Sequence, residues 1–83
     1  MTLDVLYFAW LRERIGLPKE RVETEAGTVA ALVAELAARE ERYALAFSDL
    51  TAVRVAVDQE LAGMDAPLAG VREVAFFPPM TGG

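Results

Sequence analysis

The last eight residues, Phe76-Phe77-Pro78-Pro79-Met80-Thr81-Gly82-Gly83, are of types suited to chemistry delivered at a distance. Neighbouring prolines cannot extend a paired strand, and they hold the chain stiff and extended. From Pro78 to Gly83 an extended chain spans at most about 20 Å, enough to put a terminus inside a neighbouring protein's active site. Gly82 and Gly83 have no Cβ, so the pair can thread a narrow channel whose walls grip the backbone. As a chain end, Gly83 offers a carboxylate, which is a poor electrophile and needs activation, most simply by ATP to an acyl-adenylate. Sulfur can displace the AMP and leave a thiocarboxylate, a soft anionic nucleophile on a tether. A Gly pair alone is a weak motif and reads equally as a frayed end; the approach through Phe76 to Thr81 gives it weight.

The rest of the sequence offers little competing chemistry. There is no Cys and no His among the 83 residues, which removes thiol nucleophiles, disulfides, imidazole bases and nearly every zinc or iron-sulfur site. Asp58 and Glu60 resemble an acid pair on paper, but in a turn they read as surface. The formal charge of −5 disfavours nucleic acid and anionic lipid and favours a protein partner with a basic face. No apolar run approaches the roughly 18 residues of a membrane span, and Met1-Thr2-Leu3-Asp4 lacks the basic start of a secretory signal, so a soluble cytoplasmic protein is expected.

The elements that must position the tail follow from hydrophobic spacing. A chain of 83 residues makes one domain with one core, and 54% hydrophobic residues suffice for it to fold. Leu3 to Phe8 reads as a strand with Leu3, Val5 and Tyr7 inward. Ala9 to Ile15 reads as a short helix ended by Gly16 and Pro18, and Glu20 to Thr24 as an edge strand. Thr28 is a good N-cap for an Ala-rich helix whose Val29, Leu32, Val33 and Leu36 share one face at i, i+3, i+4 and i+7. Tyr43 to Phe47 continues that helix or forms a second short one. Val53, Val55 and Val57 alternate in a strand that turns at Asp58-Gln59-Glu60 into Leu61 and Ala62, and Glu73 to Phe77 is the last strand.

The order β, β, α, β, β, β gives an α+β, two-layer domain of the β-grasp type: a mixed sheet of four to five strands on one main helix plus short helices. The domain covers 1–77, and 78–83 form an extended tail. If Leu3, Val5 and Tyr7 face the helix with Val74 and Phe76, the opposite face presents Leu6, Phe8, Ala75 and Phe77, too apolar for bare surface. Trp10 reads as a packing residue.

The terminal octapeptide closely resembles the C-terminus of the small subunit of molybdopterin synthase, the MoaD family of ubiquitin-like sulfur carriers. The resemblance extends to Val5-Leu6-Tyr7-Phe8-Ala9, to Arg12-Glu13 and to Val57-Asp58-Gln59-Glu60-Leu61, across essentially the whole chain. It implies adenylation of Gly83 by an ATP-using activating enzyme, thiocarboxylation from a sulfur donor, and insertion of the tail into the large synthase subunit. There sulfur would pass to cyclic pyranopterin monophosphate, two charged carriers making one dithiolene. Gly83 would react, Gly82 would be its steric companion, and Pro78, Pro79, Met80 and Thr81 would position the tail. Phe8, Leu61 and Phe77 match positions the family uses to dock partners, although Leu61 by itself reads as hairpin core. The resemblance also implies a heterotetramer of two small and two large subunits, and no metal or cofactor bound by this chain. A carrier of another pathway such as thiamine synthesis, a ubiquitin-like modifier of lysines and a non-covalent adaptor are the competing readings.

Overall fold

The computed structural model describes residues 1–79. Strand β1 (Thr2–Tyr7) leads into helix α1 (Ala9–Ile15), then strand β2 (Lys19–Glu23), helix α2 (Val29–Arg39), helix α3 (Glu41–Ala46), a 3-10 turn (Leu50–Ala52), strands β3 (Arg54–Val57) and β4 (Glu60–Ala62), and strand β5 (Glu73–Phe77). The sheet order is β2-β1-β5-β3-β4. All neighbours pair antiparallel except β1 and β5, which run parallel at the centre. A parallel pair needs a crossover on one sheet face, and here nearly the whole intervening chain, with its helices, supplies it.

The core lies between that face and the helices. Leu3, Val5 and Tyr7 from β1, Val74 and Phe76 from β5, and Val29, Leu32, Val33 and Leu36 from α2 are buried together, as the alternation and the helical spacing predict. Thr28 caps α2 by accepting from Ala31 N–H at 3.2 Å. The chain breaks at Glu40, whose φ of −149° and ψ of 149° are extended, so α3 is a separate helix. Gly16 adopts φ 90° at the end of α1, the left-handed C-cap its position suggests.

Two expectations shift at their margins. The first strand ends at Tyr7 instead of Phe8, because Phe8 is already the extended N-cap of α1. β2 stops at Glu23, and Thr24 is buried as a turn residue, its hydroxyl accepting from Ala26 N–H at 3.0 Å and donating to Glu35 at 2.9 Å. That side chain pins the exit of β2 to α2.

A second polar lock crosses the layers. Tyr7 from β1 and Tyr43 from α3 both donate to Oε2 of Glu20 on β2, at 2.8 and 2.6 Å. Burial, with the Glu20 carboxylate alongside, pushes both phenols upward, Tyr43 to about 12 and Tyr7 further. A phenol harder to ionise in the folded chain contributes stability that is complete below its ordinary value near 10 and is lost as pH rises through the folded value. Stability should therefore fall as pH climbs from about 10 towards 12. In alkaline melts, Tyr43→Phe should flatten that decline while costing about 1–3 kcal/mol at neutral pH, the worth of a hydrogen bond to a charged group.

Candidate functional site

The sheet face away from the helices collects the residues singled out in the sequence. Register across the strands pairs Leu61 with Ala56, Ala56 with Ala75, and Ala75 with Leu6. Side chains of paired residues share a face, so these four form one row. In the next row Phe77 is opposite Arg54, and Phe8 continues β1 beside it, its N–H donating to the Phe76 carbonyl at 3.1 Å. Leu61 is 75% exposed and Phe8 44% exposed, while Phe77, Pro78 and Pro79 are half-buried. Met80, Thr81, Gly82 and Gly83 lie outside the described residues.

The reading of Leu61 as hairpin core does not hold. β4 is an edge strand of three residues, and the cross-strand neighbour of Leu61 is the small Ala56, so among the described residues nothing covers it. Ala75, expected to stand exposed, is instead buried between Leu6 and Ala56. The two alanines thus make a low floor between Leu61 on one side and Phe8 and Phe77 on the other. This shape can receive an apolar projection from another protein.

Backbone geometry holds both rims in place. Ala9 has φ 53°, in the left-handed region that costs a non-glycine residue about 1–2 kcal/mol, and this turn takes the chain from β1 straight into α1 with Phe8 left at the corner. At the other rim, Asp58 and Gln59 adopt φ 48° and 69°, the paired left-handed values of a two-residue hairpin turn. Asp58 Oδ1 also accepts from the N–H groups of Arg72 and Glu73, at 3.0 and 2.9 Å. Asp58 is exposed, as its place in a turn suggests, and it also ties the hairpin that carries Leu61 to the start of β5. The turn was visible in Val57-Asp58-Gln59-Glu60-Leu61; its partners lie 14 and 15 residues on, and no local signal marks them.

The other end of this face is charged. Asp4 sits between Arg21 and Glu73 across the sheet, with Arg21 at 3.4 Å and Lys19 at 4.0 Å, exposed pairs worth little to stability. The face is therefore divided, apolar where β1 and β5 end and polar where they begin. Among the described residues no group of three or more Asp, Glu, His or Cys is arranged to hold a metal, and no helix is long and apolar enough to cross a membrane. The resulting arrangement can dock a partner and aim the end of β5.

A profile described as the ThiS family matches residues 5–83. The chain belongs to the ThiS family. A curated relative, the molybdopterin synthase sulfur carrier subunit of Escherichia coli (strain K12), is 44% identical over 81 residues, spanning 98% of this chain and 99% of that one. Among solved structures, the ThiS-family chain described here superposes on SAMP1 from Haloferax volcanii with a TM-score of 0.74 at 24% identity, over the full length of both. It superposes on the putative molybdopterin converting factor, subunit 1, from Pyrococcus furiosus with a TM-score of 0.72 at 26% identity, over 96% of this chain and 99% of that one. The β-grasp architecture expected from the sequence is thus the fold of this ThiS-family chain.

The role of Asp58 is open to a direct check. Asp58→Ala loses the acceptor and places a Cβ residue less suited to φ 48°, and should cost about 1–2 kcal/mol in denaturant unfolding. Asp58→Asn keeps an acceptor and tolerates the left-handed region, and should retain most of that stability.

Proposed function

We propose that this chain is the sulfur-carrier subunit of a molybdopterin synthase, with Gly83 as the reacting residue. The observation that carries the reading is a coincidence of place. The family match runs through Gly83, and the strand that leads to it, β5, ends at Phe77 in the apolar rim formed with Phe8. A tail leaving from within a docking face enters whatever docks there.

The chemistry then divides between proteins. An activating enzyme joins the Gly83 carboxylate to the α-phosphate of ATP, releasing pyrophosphate. A sulfur donor displaces AMP and leaves a thiocarboxylate, which is anionic at neutral pH. In the large synthase subunit the terminal sulfur attacks cyclic pyranopterin monophosphate, and water returns the carrier to its carboxylate. Two charged carriers complete one dithiolene. Gly82 keeps the channel entrance free of a Cβ, and Pro78, Pro79, Met80 and Thr81 set the reach. Phe8, Leu61 and Phe77 dock both the activating enzyme and the large subunit in turn, and the assembly with the latter is a heterotetramer. Without His or Cys, this chain supplies reach and a reactive end while its partners supply the catalytic groups, and the reading takes the cytoplasm, where ATP is plentiful, as its location. A non-covalent adaptor is the reading that this account must exclude.

Deleting Gly83 separates the two. The shortened chain should melt as the full one does, should still bind the large subunit, and should support no molybdopterin formation in a reconstituted assay. An adaptor would keep its activity. Phe77→Ala should weaken binding to the large subunit at least tenfold, about 1.4 kcal/mol, with little change in thermal melting. A collapse of folding instead would make Phe77 a core residue and remove it from the docking face.

A further inference from the structure

One groove of the molecule, lined by apolar and polar side chains alike, is not part of the open sheet face. It lies between α1 and the segment from α3 to the 3-10 turn, holds about 320 Å³, and is lined by Trp10, Arg14, Leu45, Ala46, Ser48 and Asp49, with Ala52 at its end. Leu45 is 56% exposed, and Leu50, in the same 3-10 turn as Ala52, is 41% exposed. With Met1, Phe8 and Leu61 these are the large apolar side chains that the described residues leave exposed. Phe8 and Leu61 belong to the docking face; Leu45 and Leu50 have no role in it.

The topology fixes where this groove sits. β1 ends, β5 ends and β3 begins at the same end of the sheet, because β1 and β5 are parallel and β3 is antiparallel to β5. α1 follows β1 there, with Trp10 two positions after Phe8, and the 3-10 turn enters β3 there, just before Arg54, the partner of Phe77. Phe47, at the end of α3, packs edge-on against Phe76 with ring centres 5.0 Å apart, fastening the groove's far wall to the last strand. The exit of the tail at Pro78 therefore lies between the open face on one side and this groove on the other. A protein that encloses the tail far enough to reach Gly83 surrounds the exit, and so meets both.

Surface area points the same way. A standard interface takes about 800 Å² from each partner, and this molecule has 4985 Å² in all. Leu6, Ala56 and Phe77 are already half-buried and Ala75 is buried, so the sheet face has few fully exposed apolar atoms beyond Leu61 and Phe8. A stable assembly extends past them.

We infer that the Trp10–Leu45 groove is a second docking surface for the large subunit of molybdopterin synthase, which seats in it an uncharged aliphatic side chain. The inference rests on the proposed function. The charge pattern sets the occupant. Asp49 is engaged within its own turn, accepting from the Thr51 N–H and hydroxyl at 3.1 and 2.6 Å. Arg14 lies over the Trp10 ring with its guanidinium carbon 5.4 Å from the ring centre and makes no ion pair among the described residues. The groove thus sets the Trp10 and Leu45 side chains between one guanidinium and one carboxylate, charges that offset each other and suit an uncharged aliphatic side chain.

Trp10 is the sole tryptophan of the chain and lines the groove, so in a tryptophan-free variant of the large subunit its fluorescence reports occupancy directly. Titrating that subunit into the full chain should shift Trp10 emission, and Leu45→Glu and Arg14→Glu should each raise the Kd at least tenfold with thermal melting unchanged. Phe77→Ala serves as the control on the sheet face. If Phe77→Ala weakens binding while both groove variants bind as the unaltered chain does and Trp10 emission stays fixed, the inference is overturned and the proposed function stands. If the groove variants weaken binding and Phe77→Ala does not, the groove stands and the sheet-face reading falls. Size-exclusion of the isolated chain covers the remaining occupant: a dimer that Leu45→Glu dissolves, with affinity for the large subunit unaltered, overturns the inference.

Discussion

The parallel pairing of β1 with β5 is the constraint on which the rest of the molecule depends. It joins the first and last strands at the centre of the sheet, so nearly every other element must be threaded between them and returned to one face. Tyr7 and Phe76, opposite each other in that pairing, stack with ring centres 6.2 Å apart and planes 13° from parallel. The same register that buries these rings places Phe8 and Phe77 at the adjoining corner. One interaction therefore builds the core and sets where β5 ends.

The two sheet faces divide the work. The helix-covered face holds the apolar alternation, the Thr24 turn and the double tyrosine grip on Glu20, which together tie β1, β2, α2 and α3 into one body. The open face keeps a low alanine floor between exposed rims, and the backbone at both rims is in the left-handed region at residues other than glycine. Of these, Ala9 is the strained one, since the paired values at Asp58 and Gln59 are those of a favoured hairpin turn. Such strain is common where a surface must present side chains in a fixed arrangement.

Much of this was legible in the residues. Leu3, Val5 and Tyr7, the Val29 to Leu36 stripe and the Glu73 to Phe77 run announce their buried faces through periods of two and about 3.6, which depend only on local geometry. Leu61 was misread as core because hydrophobicity cannot tell an edge strand from a central one; that depends on which strands lie beside it. Ala75 was misread in the other direction, since its cover comes from Leu6 and Ala56 on separate strands. Asp58 is the sharpest case: it is exposed, as an acidic turn residue should be, but the two N–H donors that give it a structural task come from the start of β5, which no local signal marks. The groove beside Trp10 was hidden for a similar reason, because its walls come from segments more than 30 positions apart in sequence.

The central claim is that Gly83 carries sulfur, and intact-mass spectrometry of the chain after incubation with ATP, its activating enzyme and a sulfur donor tests it most directly. A sulfur-carrying Gly83 gives a single product in which one terminal oxygen has been replaced by sulfur, absent when ATP is omitted and absent from the chain lacking Gly83. An unchanged mass with an activating enzyme that charges a known carrier in the same mixture would contradict it.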